Sequence, residues 1–190
     1  MNIEIGHWTQ MKRLAGSTFK SSLHFAIATT NADGAPQVTP IGSLMLTTPG
    51  EGYFFEVFAD RLCANLDRGS PVSVLGVNSS LWFWLRALMA GRFSSPPAFR
   101  LLGVAGVRRA STEAERSRWQ KKVRWLRIFK GHDLLWGKLD TVRELHFHAL
   151  EPVRLGAMTS RLHGAIEPNL RKQADTARSI CTSQIQTHSR

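Results

Sequence analysis

The stretch LHFAIATTNADGAPQVTPIG, residues 23–42, decides the fold. Its two ends are rich in β-forming residues, and residues 31–36 between them have the composition of a tight turn, in which Gly34 can adopt a positive φ. Two β-forming runs joined by a short turn predict an antiparallel hairpin. Pro40 and Gly42 interrupt the second run. Because proline cannot donate a ladder hydrogen bond, we expect an edge or a bulge at this point.

The same kind of pattern continues along the chain. Six short β-rich runs are separated by turn residues, at 23–30, 37–47, 53–58, 71–77, 101–109 and 141–155. Helical patterns occupy 3–20, 60–68 and 111–130. The strands do not alternate with helices, and no G-x-G-x-x-G or Walker loop is present, which excludes a doubly wound nucleotide-binding fold. The sequence therefore predicts a mainly β protein with α-helices, in which the sheet forms a small antiparallel barrel.

Composition and charge restrict the function further. The 190 residues include 25 Lys+Arg and 14 Asp+Glu, for a net charge of +11, which favours anionic partners such as nucleotides, phosphorylated cofactors, nucleic acid or acidic membrane. The two cysteines are too few for a disulfide framework or a structural zinc site. The longest apolar stretch, 81–90, is half of the ~20 residues that span a bilayer. We expect one cytoplasmic domain over 1–160, with a polar tail over 161–190 and no transmembrane segment.

Four short segments, taken together, carry a family resemblance. They are the hairpin 25–42, the Tyr-Phe-Phe run at 53–55, the element Arg61-x-x-x-Asn65-Leu66, and Pro-Val-Ser-Val at 71–74. In this order and spacing they resemble the pyridoxamine 5′-phosphate oxidase-like family of FMN-binding split barrels, over roughly residues 20–78. The resemblance implies a six-stranded antiparallel Greek-key split barrel with flanking helices. It also implies a homodimer that holds FMN at its interface.

The candidate cofactor site follows from the chemistry of FMN and from this resemblance. Arg61 stands at a predicted helix start, where backbone amides attract phosphate, and Asn65 lies one turn later on the same face. By analogy with the basic–spacer–Asn element of the family that the chain resembles, we assign both residues to the phosphate region. Solvent exposure of Arg61 and local helix-end bonding of Asn65 are the alternative interpretations. The resemblance assigns the edge of the flavin ring to positions on the second strand, which are Thr39, Pro40, Ile41, Gly42 and Ser43.

These features predict a flavin-dependent oxidoreductase that acts on a small molecule, without identifying a catalytic residue. A non-catalytic flavin or haem binder of the same fold is an alternative. A basic nucleic-acid-associated protein is another, because nine basic and two acidic residues occupy 108–130, around the predicted helix 111–130. His146 and His148 share one strand face, which is more typical of polar surface residues than of a metal site. The apolar run 81–85 could cover a cofactor, form a dimer contact or touch a membrane.

Overall fold

A computed structural model describes residues 3, 5–57, 59–128, 131, 137 and 139–163. In chain order its helices and strands are α1 Ile5–Ser22, β1 Phe25–Thr30, β2 Pro36–Ile41, β3 Met45–Leu46, β4 Glu51–Phe55, α2 Asp60–Asp67, β5 Pro71–Val77, α3 Leu81–Ala90, β6 Ala98–Ala110, α4 Glu113–Val123, β7 Thr141–Pro152 and α5 Ser160–His163. Short 3₁₀ turns occupy Arg124–Leu126 and Gly156–Thr159. Parts of four predicted segments lie outside the described residues, namely 4, 58, 129–130 and the tail from 164 onwards.

The strands form one antiparallel sheet in the order β2-β1-β5-β6-β7-β4-β3, so the predicted antiparallel architecture with flanking helices is confirmed. Two details of the prediction were wrong: within the described residues the sheet has seven strands instead of six, and no strand pairing among them closes it. The predicted second strand splits into β2 and β3 because the chain leaves the ladder after Ile41. At this corner the Ser43 hydroxyl donates to the Phe55 carbonyl (3.2 Å) and accepts from the Phe55 N–H (3.0 Å). A side chain thus links the end of β2 to β4.

The β1–β2 hairpin has the predicted turn. Gly34 has a φ of +84°, and the Asn31 N–H donates to the Ala35 carbonyl at 2.9 Å. Hydrogen-bonded and non-hydrogen-bonded pairs alternate along an antiparallel ladder, so counting from this turn places Pro36 and Pro40 in non-hydrogen-bonded pairs. Both prolines therefore face the open edge of the sheet, where the missing N–H groups remove no ladder bond.

The core lies between the inner face of the sheet and helices α1 and α4. The Phe19 ring of α1 meets the Trp119 ring of α4 edge-on, with centroids 5.5 Å apart. Phe25 of β1 packs on Phe99 of β6, with centroids 6.1 Å apart. The helices meet the sheet through the Phe19–Phe25 and Trp119–Phe55 ring pairs, whose centroids are 6.3 Å and 6.4 Å apart. Because burial of one such side chain stabilises a fold by about 1.5–3 kcal/mol, these contacts fix the helices on the sheet.

Strands β6 and β7 approach each other closely at a bulge that follows Leu102. A Cβ atom built on Gly103 would lie 2.2 Å from the backbone oxygen of His146. Only glycine allows the two backbones to come this close.

Contacts divide the chain into two units. The first contains Met1–Phe83 and Pro97–Val153, and it includes the whole sheet. The second contains Trp84–Pro96 and Arg154–Arg190, and in its described part the Phe93 N–H donates to the Met158 carbonyl at 3.0 Å. Among the described residues, no helix is both long and apolar enough to span a bilayer.

Candidate functional site

Helix α2 is held against the β1–β2 hairpin by the side chain of Asn65, which is only 2% exposed. Its amide nitrogen lies 2.9 Å from Thr29 Oγ1, 2.9 Å from Asn31 Oδ1 and 3.4 Å from Gln37 Oε1. The Asn65 carbonyl oxygen accepts a hydrogen bond from Arg68. Both polar groups of this predicted phosphate ligand are therefore engaged within the protein.

Gln37 extends this network along β2. Its amide nitrogen lies 3.4 Å from Thr39 Oγ1, so Gln37 connects two of the predicted site residues, Thr39 and Asn65. The sequence interpretation overlooked Gln37. The signal that could have identified it is the period of two along a strand, which places positions 37 and 39 on the same face.

Arg61 occupies the first turn of α2 and is exposed. Its guanidinium group makes no hydrogen bond or ion pair with another residue of the described part of the chain. The N-cap of α2 is Ala59, which provides no side-chain cap, although the acidic Asp60 shares the first turn. Because Arg61 is four residues before Asn65, the two share a helix face. A guanidinium group beside uncapped helix amides fits the phosphate of FMN.

The five candidate positions at the end of β2 have different surroundings. The side chain of Ile41 is in the core, and the Ser43 hydroxyl is occupied by the backbone of Phe55. Thr39 and Gly42 are half-buried, and Pro40 is exposed. Since β2 is an end strand, its outer edge carries backbone groups that no other described strand pairs. The groups of this segment that are available to contact the edge of a flat ring are therefore these unpaired backbone groups and the side chains of Thr39 and Pro40.

A buried ion-pair network connects α2 with the sheet. Glu56, which follows β4, has its carboxylate 2.7 Å from Arg143 Nε and 2.6 Å from Arg108 Nε. Arg143 also contacts Asp67 at the end of α2. Burial alone would lower the pKa of Arg143, but hydrogen bonds to Glu56 and Asp67 raise it above its usual value. Burial, and then the nearby Glu56 carboxylate, raise the pKa of the Cys63 thiol to about 11. The network holds α2 in place, and it makes Cys63 a poor nucleophile.

At another edge of the sheet a cavity of about 360 Å³ lies between β4 and the start of α4. Its wall includes Arg109, which pairs with Glu115 and Glu144 at 2.7 Å each. The hydrogen bond from Arg109 is the main reason that the pKa of Glu115 falls to about 2. Because both carboxylates already neutralise Arg109, this cavity presents no free cationic group at that position.

The histidines predicted to share a strand face are both exposed on β7. His146 Nδ1 lies 2.6 Å from a carboxylate oxygen of Glu51. Within the described residues, no group of three His, Cys, Asp or Glu side chains is arranged to hold a metal ion.

The basic segment around α4 is less available to a partner than its sequence indicates. Arg108, Arg109 and Arg116 form ion pairs with carboxylates, and Lys122 is half-buried with its ammonium 4.5 Å from the centroid of the Phe19 ring. Burial lowers the pKa of Lys122 to about 8. The exposed remainder of the described segment consists of Arg118, Lys121, Arg124 and Arg127, next to Trp125.

Comparison with known proteins identifies the architecture. No protein-family model and no curated protein matches the sequence. Among solved structures, an FMN-binding protein from Syntrophomonas wolfei aligns with 79% of this chain and 94% of its own, at 13% identity and a TM-score of 0.50. This likeness shows the fold, and the predicted split-barrel resemblance is confirmed at that level.

Two further structures align less well. One, assigned as a pyridoxamine 5′-phosphate oxidase from Lactobacillus delbrueckii, covers 72% of this chain and 88% of its own, at 20% identity and a TM-score of 0.43. The other, a heme binding protein from Mycobacterium smegmatis, covers 72% of this chain and 51% of its own, at 17% identity and a TM-score of 0.45.

Proposed function

We propose that this protein binds FMN and acts as a flavin-dependent oxidoreductase on a small molecule. The fold supports this proposal, and one contact carries it: the Asn65 amide joins α2 to both strands of the hairpin. We expect that contact to turn the helix face bearing Arg61 towards the open strand β2, because positions 61 and 65 lie one turn apart. A cation for a phosphate and an unpaired strand edge for a planar ring are thereby presented by adjacent elements.

In this proposal the flavin, when bound, supplies the redox chemistry. Arg61 and the amides of the first turn of α2 bind its phosphate. The backbone from Thr39 to Ser43 orients the ring edge, and Ile41 anchors that segment in the core. Asn65 acts as a positioning residue, because its own polar groups are occupied by Thr29, Asn31 and Arg68.

We further propose that the protein is a homodimer with FMN at its interface. The outer face of β2, β5 and β6 supports this, since Val38, Val77 and Val104 are exposed there at 65%, 39% and 47%. Exposed apolar sheet faces of this kind are typical of surfaces that a partner covers. A second copy would cover this face and exclude water from the ring.

Titration with FMN and with riboflavin, which lacks the phosphate, tests the cofactor proposal. We expect Arg61→Ala to weaken FMN binding by ~10- to ~100-fold, the effect of losing a charged hydrogen bond, and to leave riboflavin binding unchanged. Arg13→Ala is the control, because Arg13 is exposed on α1. Equal FMN affinity in Arg61→Ala and the wild type would reject the phosphate site, and no binding of either flavin to the wild type would reject the cofactor.

A second candidate function is nucleic-acid binding. The observation in its favour is the exposed group Lys121, Arg124 and Arg127 around Trp125, whose side chain is 53% exposed. Base stacking on Trp125, with phosphate contacts from the cations, is the expected mode. Duplex or single-stranded DNA that binds with a steep loss of affinity as salt increases would favour this function over the first.

A further inference from the structure

Helix α3 exposes a continuous apolar stripe. Five of its ten residues are large, apolar and 49–85% exposed, namely Leu81, Trp82, Leu85, Leu88 and Met89. At about 100° per residue these positions fall within about 120° of the helix circumference, and Arg86 projects just beyond one border. Solvent-facing helices normally carry polar residues on that side, so the stripe indicates a surface that another phase or molecule covers.

The opposite side of α3 is the one that packs within the protein. Ala87 is buried, and the Trp84 ring meets the buried Phe93 ring edge-on, with centroids 5.2 Å apart. The helix ends at Gly91, whose φ is +62° and whose N–H donates to the Leu88 carbonyl. Since the helix is already held by these contacts, the apolar stripe is not needed to fix it in place.

In the second unit, to which α3 belongs from Trp84 onwards, the charged side chains of the described residues all have one sign. The described residues of this unit, 84–96 and 154–163, include four arginines and no acidic residue. Beyond the end of α3, Arg92, Ser160 and Arg161 line a groove of about 550 Å³. Two guanidinium groups and a hydroxyl are suited to bind a phosphate group. An apolar helix face next to arginines is complementary to a surface that presents both phosphates and hydrocarbon.

We propose that α3 lies in the interface of an anionic lipid bilayer. The stripe enters the boundary between headgroups and acyl chains, while Arg86, Arg92 and Arg161 contact lipid phosphates. A helix of ten residues is about 15 Å long, which allows it to lie in the surface but not to cross the hydrocarbon core. The proposal is independent of flavin binding.

Charge is also what favours a bilayer over a second copy of the chain. A two-fold contact through α3 would place the same surface against itself, and thus Arg86 and Arg92 against arginines of the other copy. The described part of the second unit, residues 84–96 and 154–163, provides no carboxylate to neutralise these arginines. Anionic lipids provide that neutralisation.

Sedimentation of the full chain with lipid vesicles tests the proposal. We expect binding to vesicles of phosphatidylcholine mixed with phosphatidylglycerol. Binding to phosphatidylcholine alone should be weaker by about tenfold or more, because each arginine near the surface gains from the anionic lipid. Rising salt should weaken binding to the mixed vesicles, and inorganic phosphate should compete no better than chloride at the same ionic strength. No binding to mixed vesicles, or equal binding to both kinds, overturns the proposal.

Two matched substitutions locate the surface. Met89 and Ile128 are both 83% exposed, and either can be replaced by Glu with little effect on folding. Met89→Glu should weaken vesicle binding by about tenfold or more, since it removes an apolar group that the bilayer would bury and adds a negative charge that anionic lipid repels. Ile128→Glu should leave binding unchanged.

A charge variant provides a second, independent readout. Arg86→Gln combined with Arg92→Gln should reduce the salt dependence of binding to mixed vesicles and bring the affinity close to that for phosphatidylcholine alone. Equal losses in Met89→Glu and Ile128→Glu would place the contact elsewhere and overturn the assignment to α3. Self-association that Met89→Glu abolishes, without vesicle binding by the wild type, would assign the stripe to a second copy instead.

Discussion

Arg143 and Glu56 form a buried ion pair, with 2.7 Å between Nε and Oε1 and with 5% and 2% of their side chains exposed. Removing Arg143 leaves the buried Glu56 carboxylate with Arg108 as its remaining cationic partner among the described residues, and the Arg108 side chain is 55% exposed, so it compensates the buried charge less well. We therefore expect Arg143→Met to lower the free energy of unfolding by about 3–5 kcal/mol, as measured by urea denaturation followed by circular dichroism. Arg100→Met is the control, because the pair of Arg100 with Glu151 is about half exposed and should contribute about 0–1 kcal/mol. Equal effects of the two substitutions would contradict this interpretation.

The same carboxylate affects the chemistry of Cys63. A thiol whose pKa is raised to about 11, against a usual value of 9.0, is ionised about a hundredfold less at neutral pH. In a Cys181→Ser background, the alkylation rate of folded protein should keep rising well above pH 9.0, whereas the rate in urea should level off near that value. A rate for the folded protein that levels off at the same pH as in urea would show that burial and Glu56 do not act on the thiol.

Gly103 provides a test of the close approach between β6 and β7. An added Cβ would lie 2.2 Å from a backbone oxygen, and backbone cannot move away cheaply. We expect Gly103→Ala to destabilise the fold by about 3 kcal/mol or more, or to prevent folding. In contrast, a Cβ on Gly16 in α1 meets nothing within 4 Å, so Gly16→Ala should stabilise by about 0.5–1 kcal/mol. Thermal unfolding of both variants measures the difference in their stability. A small loss of stability in Gly103→Ala would contradict the close approach of the β6 and β7 backbones.

The ionisation of Glu115 should make the free energy of unfolding depend on pH in the acidic range. Its pKa in the folded chain is about 2, chiefly through Arg109, against 4.5 in the unfolded chain. The stabilisation is therefore complete above pH 4.5, and it is lost as the pH falls from 4.5 towards 2. Glu115→Gln should lower the free energy of unfolding by about 1.5–3 kcal/mol at neutral pH. The difference in the free energy of unfolding between this variant and the wild type should decrease as the pH falls from 4.5 towards 2.

Glu113→Gln is the control for this experiment, since the Glu113 side chain is 82% exposed. It should differ little from the wild type at any pH. A gap between Glu115→Gln and the wild type that stays constant below pH 4.5 would show that the carboxylate charge is not what stabilises the fold.

The parts of the fold that the sequence predicted have local causes. Gly34 identifies the turn because only a few residues adopt positive φ, and Pro40 marks an edge because it lacks an N–H. The partners of Asn65 have no such local signal. The three partners of its amide nitrogen lie 28–36 residues away in sequence, and the pairing of β1 with both β2 and β5 brings them together.

Two further features could not be predicted from local pattern for physical reasons. Helix α3 is apolar on most of its circumference, so it has no clear 3.6-residue alternation to separate it from a buried strand. Arg143 and Glu56 are of residue types that are usually exposed. Their burial follows from the pairing of β4 with β7, which places position 143 opposite Phe54, close to the strand end that Glu56 follows.

The two prolines on β2 have a consequence for the behaviour of the protein at high concentration. A free strand edge is a template on which further chains can add and grow into fibrils, provided that its donors form an unbroken row. Pro36 and Pro40 remove two hydrogen-bond donors from the outer edge of β2. Another chain therefore cannot form a continuous ladder of hydrogen bonds along this edge. We therefore expect the outer edge of β2 to stay unpaired at high protein concentration without starting aggregation.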